Sequence, residues 1–236
     1  MGEATQNPRG AVTIQVLGTK REAWTRVTRQ DIEQLQEFMQ GCFQYNGPYT
    51  LSSGRQSNYY YDGKGATQNP AAAWLIGKVL VDVVLGLADA VGGLEIGAVP
   101  IADAIGVVAH VERHVTLPTF IVRKEAKRHG IQSDVSEANT TDGTKLLRPG
   151  RRVVIVDDVI TTGGSIQKAI SAVQALGCTV TAVIALVERH ESEGQLENQG
   201  FPIIRLFYTN ENGQLFLDSE FVRRAEDAAQ SRLVPR

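Results

Sequence analysis

Apolar residues recur at helical spacing in several stretches of the chain. The first stretch follows Thr28, a residue type that caps helices, and its apolar positions predict one buried face. These positions are Ile32, Leu35, Phe38 and Met39. A longer stripe begins at Pro70 and predicts a second helix, which we expect Gly92-Gly93 to end. Its members are Leu75, Ile76, Val79, Leu80, Val83, Val84 and Leu87.

Short apolar runs predict strands between the helices. The runs cover residues 94–97, 118–122, 153–156, 179–187 and 201–208. Further helices are expected from Pro100 and over residues 165–176. Because strands and helices alternate, the pattern predicts an α/β fold with a mostly parallel sheet flanked by helices. Ligands of such sheets bind beyond the carboxyl ends of the strands.

Other segments fall outside this alternation. Residues 1–27 show no clear period and are expected to be a tail or edge segment, ahead of a single domain over residues 28–232. Within that domain, residues 28–68 predict a small N-terminal hood, and residues 123–148, polar and without a period, predict a long mobile loop. Residues 233–236 look like the remnant of an engineered protease cleavage site and are left out of the domain.

Composition limits the classes of partner. The chain has 236 residues, 42% of them hydrophobic, and a net charge of −2, so we expect neither nucleic acid nor membrane as a partner. Charged residues interrupt the apolar stretch 71–110 too often for a bilayer span. No secretory signal is recognisable, and Cys42 and Cys178 have no disulfide or metal-site spacing. A cytoplasmic protein with free thiols is the expectation.

The run VVIVDDVITTGGS at residues 153–165 carries the clearest chemical signal. Asp157 and Asp158 follow four apolar residues, and their carboxylates suit the vicinal hydroxyls of a ribose. The Thr- and Gly-rich residues 161–165 allow backbone N–H groups to approach a phosphate at a helix start. The GK[ST] ending of a P-loop kinase is missing. A plain acidic turn would leave both carboxylates without an evident partner, so we favour a sugar-phosphate site.

This run resembles the 5-phosphoribosyl 1-diphosphate (PRPP) motif of the type I phosphoribosyltransferases. The resemblance implies a type I phosphoribosyltransferase-like fold in which Asp157 and Asp158 hold the ribose hydroxyls. It also implies that the following residues bind PRPP. These residues are Val159, Ile160, Thr161, Thr162, Gly163, Gly164 and Ser165.

A cationic run opens the long loop. Its spacing, R-K-x-x-K-x-H-G over residues 123–130, is similar to the catalytic loop of the orotate phosphoribosyltransferases, although charge runs are more often solvated loops. The resemblance implies contacts with PRPP and its pyrophosphate from Arg123, Lys124, Lys127 and His129. Lys127 would be the main catalytic group, acting with the two aspartates. The resemblance also implies a homodimer in which the 123–148 loop reaches the neighbouring site.

Two further segments bear on the base. Residues 49–62 resemble the N-terminal signature of the same family, with Ser52, Tyr60 and Tyr61 as implied orotate contacts, although family members often have Lys at the position of Ser52. Arg189 matches the arginine that pairs with the orotate carboxylate, and Thr161 would also contact the base. Taken alone, the tyrosines fit a packed hairpin and the arginine a surface charge.

The resemblance implies an enzyme of pyrimidine biosynthesis, a glycosyltransferase that converts orotate and PRPP into orotidine 5′-monophosphate and pyrophosphate. Its cofactor would be Mg²⁺, held mainly by PRPP and water. Two alternatives stay open. A purine phosphoribosyltransferase would share residues 157–165 without needing the cationic run or Arg189. A non-catalytic PRPP-sensing regulator should instead show a basic face.

Overall fold

A computed structural model describes residues 27–50, 54, 56–125, 134–138, 143–192 and 200–231, with side chains of the last helix described as far as residue 228. The predicted site residues Ser52, Lys127 and His129 lie outside the described residues, as do residues 1–26 of the predicted tail and residues 233–236.

The described residues form helices and strands in alternation. The helices are α1 Arg29–Gln40, α2 Lys64–Thr67, α3 Pro70–Leu87, α4 Ala98–Arg113, α5 Gly164–Ala175 and α6 Ser219–Ser231. The strands are β1 Phe43–Gln44, β2 Tyr49–Thr50, β3 Gln56–Ser57, β4 Tyr60–Tyr61, β5 Ala90–Leu94, β6 Thr119–Val122, β7 Val135–Glu137, β8 Arg152–Ile160, β9 Thr179–Glu188, β10 Ile203–Thr209 and β11 Leu215–Leu217. A short 3-10 helix, His190–Ser192, follows β9.

The central sheet confirms the predicted α/β class. Its order is β11-β10-β9-β8-β5-β6-β7, with parallel pairing from β10 to β6 and antiparallel strands at both edges. Alternate residues of β8 face opposite sides. Val154 and Val156 pack with α3 and α4, and Val153 and Ile155 pack with α5. Burial on both faces explains why the parallel strands read as continuous apolar runs.

The hood begins as the sequence predicts. Thr28 and Asp31 form a capping box at the start of α1, with Asp31 Oδ2 accepting a hydrogen bond from Thr28 N at 2.6 Å. Two antiparallel pairs, β1–β4 and β2–β3, complete this region. Tyr45 Oη donates to Gly213 O at 3.1 Å and thereby joins the hood to the turn between β10 and β11.

The predicted helix end at Gly92-Gly93 is wrong. Helix α3 ends at Leu87, and both glycines lie inside β5, which replaces the strand expected at residues 94–97. The physical reason is close packing, because a Cβ atom on Gly92 would collide with Phe120 O and one on Gly93 with Val156 O. By length and apolarity α3 could cross a membrane, but 61% of its residues are buried inside the protein.

The polar stretch 123–148 is also not a loop throughout. Residues Val135–Glu137 form β7, antiparallel to β6. Backbone pairing with β6 therefore creates a strand that no hydrophobic pattern in the sequence predicts. Strand β8 likewise extends past the predicted residue 156 to Ile160, because its backbone stays paired with β9 as far as Glu188. The acidic residues therefore lie within the last part of the strand. The edge strand β11 was not predicted.

Candidate active site

A cleft of about 510 Å³ lies at the carboxyl ends of β5 and β8, between the sheet and the hood. This is the position that the parallel topology predicts for a ligand. Several of the residues singled out from the sequence line it. They are Tyr60, Tyr61, Lys124, Asp157, Asp158, Val159, Thr161, Ser165 and Arg189.

Asp157 and Asp158, the acid pair, form the floor of the cleft. Asp157 is 6% exposed. Its Oδ2 accepts a hydrogen bond from Ser165 Oγ at 2.5 Å, and its Oδ1 accepts one from Asp158 N at 3.1 Å. Burial, and then the charge of Asp158, raise the pKa of Asp157 to about 7. Burial also raises the pKa of Asp158. The pair thus holds a proton more tightly than free carboxyls do, and a bound cation or hydroxyl donor would displace it.

Two glycines allow the backbone to approach the acid pair. A Cβ atom on Gly97 would lie 2.5 Å from Asp158 Oδ1 and 2.8 Å from Asp157 Oδ1. A Cβ atom on Gly63, in the hood, would lie 2.8 Å from Asp158 Oδ2. The acid pair is therefore enclosed by main chain from two separate segments. Neither glycine could be identified from the sequence, because only their neighbours in three dimensions reveal the constraint.

Residues 161–165, the phosphate turn, connect β8 to α5. Gly163 has a φ of +74°, a conformation that side-chain-bearing residues rarely adopt, and α5 begins at the next residue. Thr161 and Ser165 line the cleft, while Thr162 and Gly164 are exposed. Ile160 differs from the expectation of a direct contact. Its side chain is 1% exposed and packs in the core, so only its backbone is available to a ligand.

The head of the cationic run lies beside the acid pair. Lys124 lines the cleft, and its backbone N–H donates to Glu95 Oε1 at 2.8 Å. Its backbone oxygen accepts a hydrogen bond from Lys168 Nζ. Arg123 N donates to Asp134 O at 2.7 Å, which brings the two ends of the segment 123–134 together.

Arg189 is 3% exposed and enters a network that the sequence analysis did not anticipate. Its Nε and Nη2 donate to Glu191 Oε2 at 3.2 Å and Oε1 at 3.0 Å, and Nη2 also donates to Ser57 Oγ at 3.0 Å. The guanidinium carbon lies 4.4 Å from the ring centroid of Tyr59. Tyr59 Oη in turn contacts Thr209 Oγ1 at 3.0 Å.

The pKa of Glu191 reports on this pairing. Burial acts to raise it, but the hydrogen bonds and charge of Arg189 outweigh burial, and the pKa lies below its usual value. Glu191 therefore stays ionised and fixes the orientation of Arg189. The short spacing Arg-x-Glu was the one sequence signal that could have identified it.

The two predicted base-contacting tyrosines differ in environment. Tyr60 is 38% exposed and its ring lies 5.7 Å from that of Tyr49. Tyr61 is 5% exposed, packs 4.7 Å from the ring of Phe43, and donates to Met39 Sδ at 3.8 Å. Tyr60 is thus the better placed of the two to present a ring face, whereas Tyr61 belongs mostly to the core of the hood.

Lys64, which the sequence analysis also missed, adds a cation to the cleft. Its Nζ lies 3.4 Å from Asp62 Oδ1, and the charge of Asp62 raises the pKa of Lys64. The cleft therefore combines cations from the hood and from residue 124 with the acid pair.

Comparison with known proteins agrees with this geometry. The family model of the phosphoribosyl transferase domain matches residues 68–208. A protein of Rhodopirellula baltica named orotate phosphoribosyltransferase is 45% identical over 150 residues, which is 61% of this chain and 73% of that protein. A crystal structure of Mycobacterium tuberculosis orotate phosphoribosyltransferase in complex with Fe(III) dicitrate has a TM-score of 0.63 and 32% identity, covering 78% of this chain and 99% of the other.

A second crystal structure of the M. tuberculosis protein contains PRPP. It has a TM-score of 0.59 and 28% identity, with the same coverage of 78% and 99%. Sequence, fold and the arrangement of the cleft thus agree, and this chain belongs to the orotate phosphoribosyltransferases of the phosphoribosyltransferase domain family.

Proposed function

We propose that this protein transfers the phosphoribosyl group of PRPP to orotate and releases orotidine 5′-monophosphate and pyrophosphate. The observation that carries the proposal is the presence of the acid pair and of Arg189 in one cleft. The acid pair suits the hydroxyls of a ribose, and a guanidinium suits a planar carboxylate. A PRPP complex and the name orotate phosphoribosyltransferase among the relatives support the same reaction.

In the proposed reaction the protein acts by positioning and by charge. Asp157 and Asp158 accept hydrogen bonds from the ribose 2′ and 3′ hydroxyls, and backbone N–H groups of the phosphate turn bind the 5′-phosphate. As the bond between ribose C1 and pyrophosphate breaks, positive charge develops on the sugar and negative charge on the leaving group. Cationic side chains, Lys124 among them, stabilise that leaving group. Arg123, Lys127 and His129 share this role in the proposal.

Recognition of the base rests on Arg189. Its pairing with Glu191 and Ser57 holds the guanidinium in one orientation at the cleft wall. Tyr60 offers a ring face, and Thr161 and Ser52 offer hydroxyls. A neutral purine gains little from a fixed guanidinium, which is why we favour orotate over the purine alternative.

Mg²⁺ is part of the proposal and the cleft is compatible with it. Within the described part of the chain, no group of three or more His, Cys, Asp and Glu side chains could enclose a metal ion, so PRPP and water would supply most ligands. Asp157 and Asp158 are the residues that would lie nearest, since a cation would offset both the burial and the charge of Asp158 that raise the pKa of Asp157. When bound, Mg²⁺ neutralises charge on the pyrophosphate.

The proposal includes a homodimer in a reducing, cytoplasmic compartment. An exposed apolar face supports the dimer: Val107 is 61% and Val111 is 48% exposed one turn apart on α4, and Ile96, at the cleft, is 59% exposed. In the proposal the second copy lies on this face and its 123–148 segment reaches the cleft. Cys42 and Cys178 are both free thiols, which fits the compartment.

The test measures pyrophosphate release with PRPP, Mg²⁺ and one base at a time: orotate, uracil, adenine, hypoxanthine or xanthine. Release with orotate alone, lost in Lys127→Ala but kept in Lys145→Ala, is expected. Lys145 is a suitable control because its side chain is 74% exposed and pairs with Glu137. Release with a purine would contradict the assignment of the base, and PRPP binding without release would favour the regulator.

Mixing two inactive variants tests whether each active site contains residues from both subunits. Lys127→Ala and Asp158→Asn variants should each be inactive alone. A mixed dimer contains one site with neither change if the loop crosses to the partner, so mixing should restore activity. No restoration in a confirmed mixed dimer would exclude the crossing.

A further inference from the structure

Glu95 and Lys168 bind the two polar backbone atoms of a single residue, Lys124. Glu95 Oε1 accepts the hydrogen bond from Lys124 N at 2.8 Å, and Lys168 Nζ donates to Lys124 O. Glu95 lies in the turn after β5 and Lys168 lies on α5, so the two side chains reach Lys124 from separate elements. The main chain at the head of the loop is therefore held from both sides by charged groups.

A carboxylate at the position of Glu95 needs an explanation. Glu95 lines the same cleft as Asp157, Asp158 and Lys124, where a negative group opposes the binding of pyrophosphate. Its hydrogen bond to the backbone N–H of Lys124 stabilises the head of the loop and so offsets this repulsion. A structural anchor, unlike a substrate ligand, requires only an acceptor and gains nothing from the negative charge facing the substrate.

The anchors also connect the loop head to the sugar site. Gly97, two residues after Glu95, is in the close backbone contact with the acid pair, and Lys168 belongs to the helix that the phosphate turn begins. A shift of either element would move Lys124 with it. The position of the Lys124 main chain is thus set by the two segments that surround the ribose phosphate.

We infer that Glu95 and Lys168 are positioning residues for phosphoribosyl transfer, which hold the main chain of Lys124 so that its ammonium group meets the pyrophosphate leaving group. The inference rests on the proposed function. Neither residue needs to touch the substrate. Their effect is on the transfer step and on pyrophosphate, and not on the base.

The experiment uses Glu95→Ala, Glu95→Gln, Lys168→Met and Lys168→Arg in the full-length protein, with Glu226→Ala on α6 as an exposed-glutamate control. The alanine and methionine variants should lower kcat by roughly 10- to 100-fold, as misplaced catalytic groups do. They should raise KM for pyrophosphate in the reverse reaction while leaving KM for orotate and the melting temperature unchanged. Glu95→Gln and Lys168→Arg keep an acceptor and a donor, so they should retain most of kcat.

A second readout does not depend on activity. Loss of either anchor should speed tryptic cleavage after Arg123 or Lys124, identified by mass spectrometry, and Glu226→Ala should not. The double variant Glu95→Ala/Lys168→Met should be no slower in catalysis than the worse single variant, because one lost anchor already releases the same main chain.

Several outcomes would overturn the inference. Equal loss of kcat in Glu95→Gln and Glu95→Ala would mean that the carboxylate acts on the substrate itself. Unchanged kcat and unchanged proteolysis in both single variants would mean that the contacts do not position Lys124. If the unchanged protein releases no pyrophosphate with orotate, the proposed function fails, and the proteolysis result still decides whether the anchors hold the loop head.

Discussion

The two halves of the cleft bury charge in opposite ways. The acid pair places two like charges side by side, and burial with mutual repulsion raises the pKa of Asp157 to about 7. On the base side Arg189 and Glu191 form a bidentate pair, and the pKa of Glu191 is lowered. The acid pair and the phosphate turn, the sugar half of the cleft, are thus stabilised by a ligand that donates hydrogen bonds or carries a cation. Arg189 and its partners, the base half of the cleft, are preorganised and need no ligand to stay ordered.

The largest expected effect comes from crowding the sugar half. Gly97→Ala would place a methyl group 2.5 Å from Asp158 Oδ1 and displace the acid pair. Loss of charged hydrogen bonds, about 1.5–3 kcal/mol each, should weaken PRPP binding by roughly 10- to 100-fold or more. Calorimetric titration with PRPP measures this directly.

The matched control is Gly86→Ala. Gly86 is exposed on α3, and a methyl group there would meet no neighbouring atom within 4 Å, so alanine should keep PRPP affinity and stabilise the helix by about 0.5–1 kcal/mol. Normal PRPP affinity in Gly97→Ala would show that the acid pair can move without loss of function.

The base half should separate recognition from stability. Arg189→Met removes the guanidinium, so KM for orotate should rise roughly 10- to 100-fold with PRPP affinity kept. It also leaves Glu191 without its cationic partner, with only the hydrogen bond from Tyr59 Oη at 3.2 Å. The free energy of unfolding should fall by about 1–3 kcal/mol, less than for a fully buried pair.

The double variant Arg189→Met/Glu191→Gln sharpens this test. It should recover part of the stability because no unpaired charge remains, while KM for orotate stays high. Chemical denaturation and steady-state kinetics give both quantities. Recovery of orotate affinity in the double variant would argue against a direct contact by Arg189.

The remaining prediction concerns how the stability of the folded protein depends on pH. Because the folded pKa of Asp157 is about 7 and the ordinary value is 3.8, the folded protein binds more protons than the unfolded chain between these pH values. The contribution of Asp157 to stability therefore falls as pH rises from about 4 to about 7. Asp157→Asn should reduce that slope in melting temperatures measured without ligand, and the raised pKa of Asp158 accounts for the slope that remains. Identical slopes in both proteins would contradict the raised pKa.

The same contrast explains what could be predicted from sequence. The sugar half is contiguous, since residues 157–165 form one strand–turn–helix unit, and its parts could be recognised by their order alone. The parallel sheet and the cap of α1 at Thr28 were predicted for similar reasons, because the hydrophobic period and the type of capping residue are local signals. The glycines of β5 were misread as a helix end since their cause is the contact with neighbouring strands.

The base half was predicted only in part. Arg189 could be identified by its resemblance to a family position, and the short spacing Arg-x-Glu is a local signal for Glu191. The partners Ser57 and Tyr59 could not be identified, because they are far from Arg189 in the sequence. Tyr59 and Thr209, whose hydroxyls meet, are 150 positions apart in the chain. Pairings of this kind depend on tertiary structure, and a single sequence contains no local trace of them. Contacts of Ser52, Lys127 and His129 stay predictions.

The joint between the hood and the turn after β10 has a consequence for biosynthesis. A Cβ atom on Gly213 would lie 2.6 Å from the ring of Tyr59, and Gln36 and Gln40 of α1 exchange hydrogen bonds with the backbone of Leu215. The ribosome makes the hood before it makes this turn, since Gln36 and Leu215 are 179 positions apart. The hood therefore cannot complete its contacts with the rest of the domain until the turn between β10 and β11 has been synthesised. A chain that ends before this turn would therefore lack an ordered hood and should not bind the base.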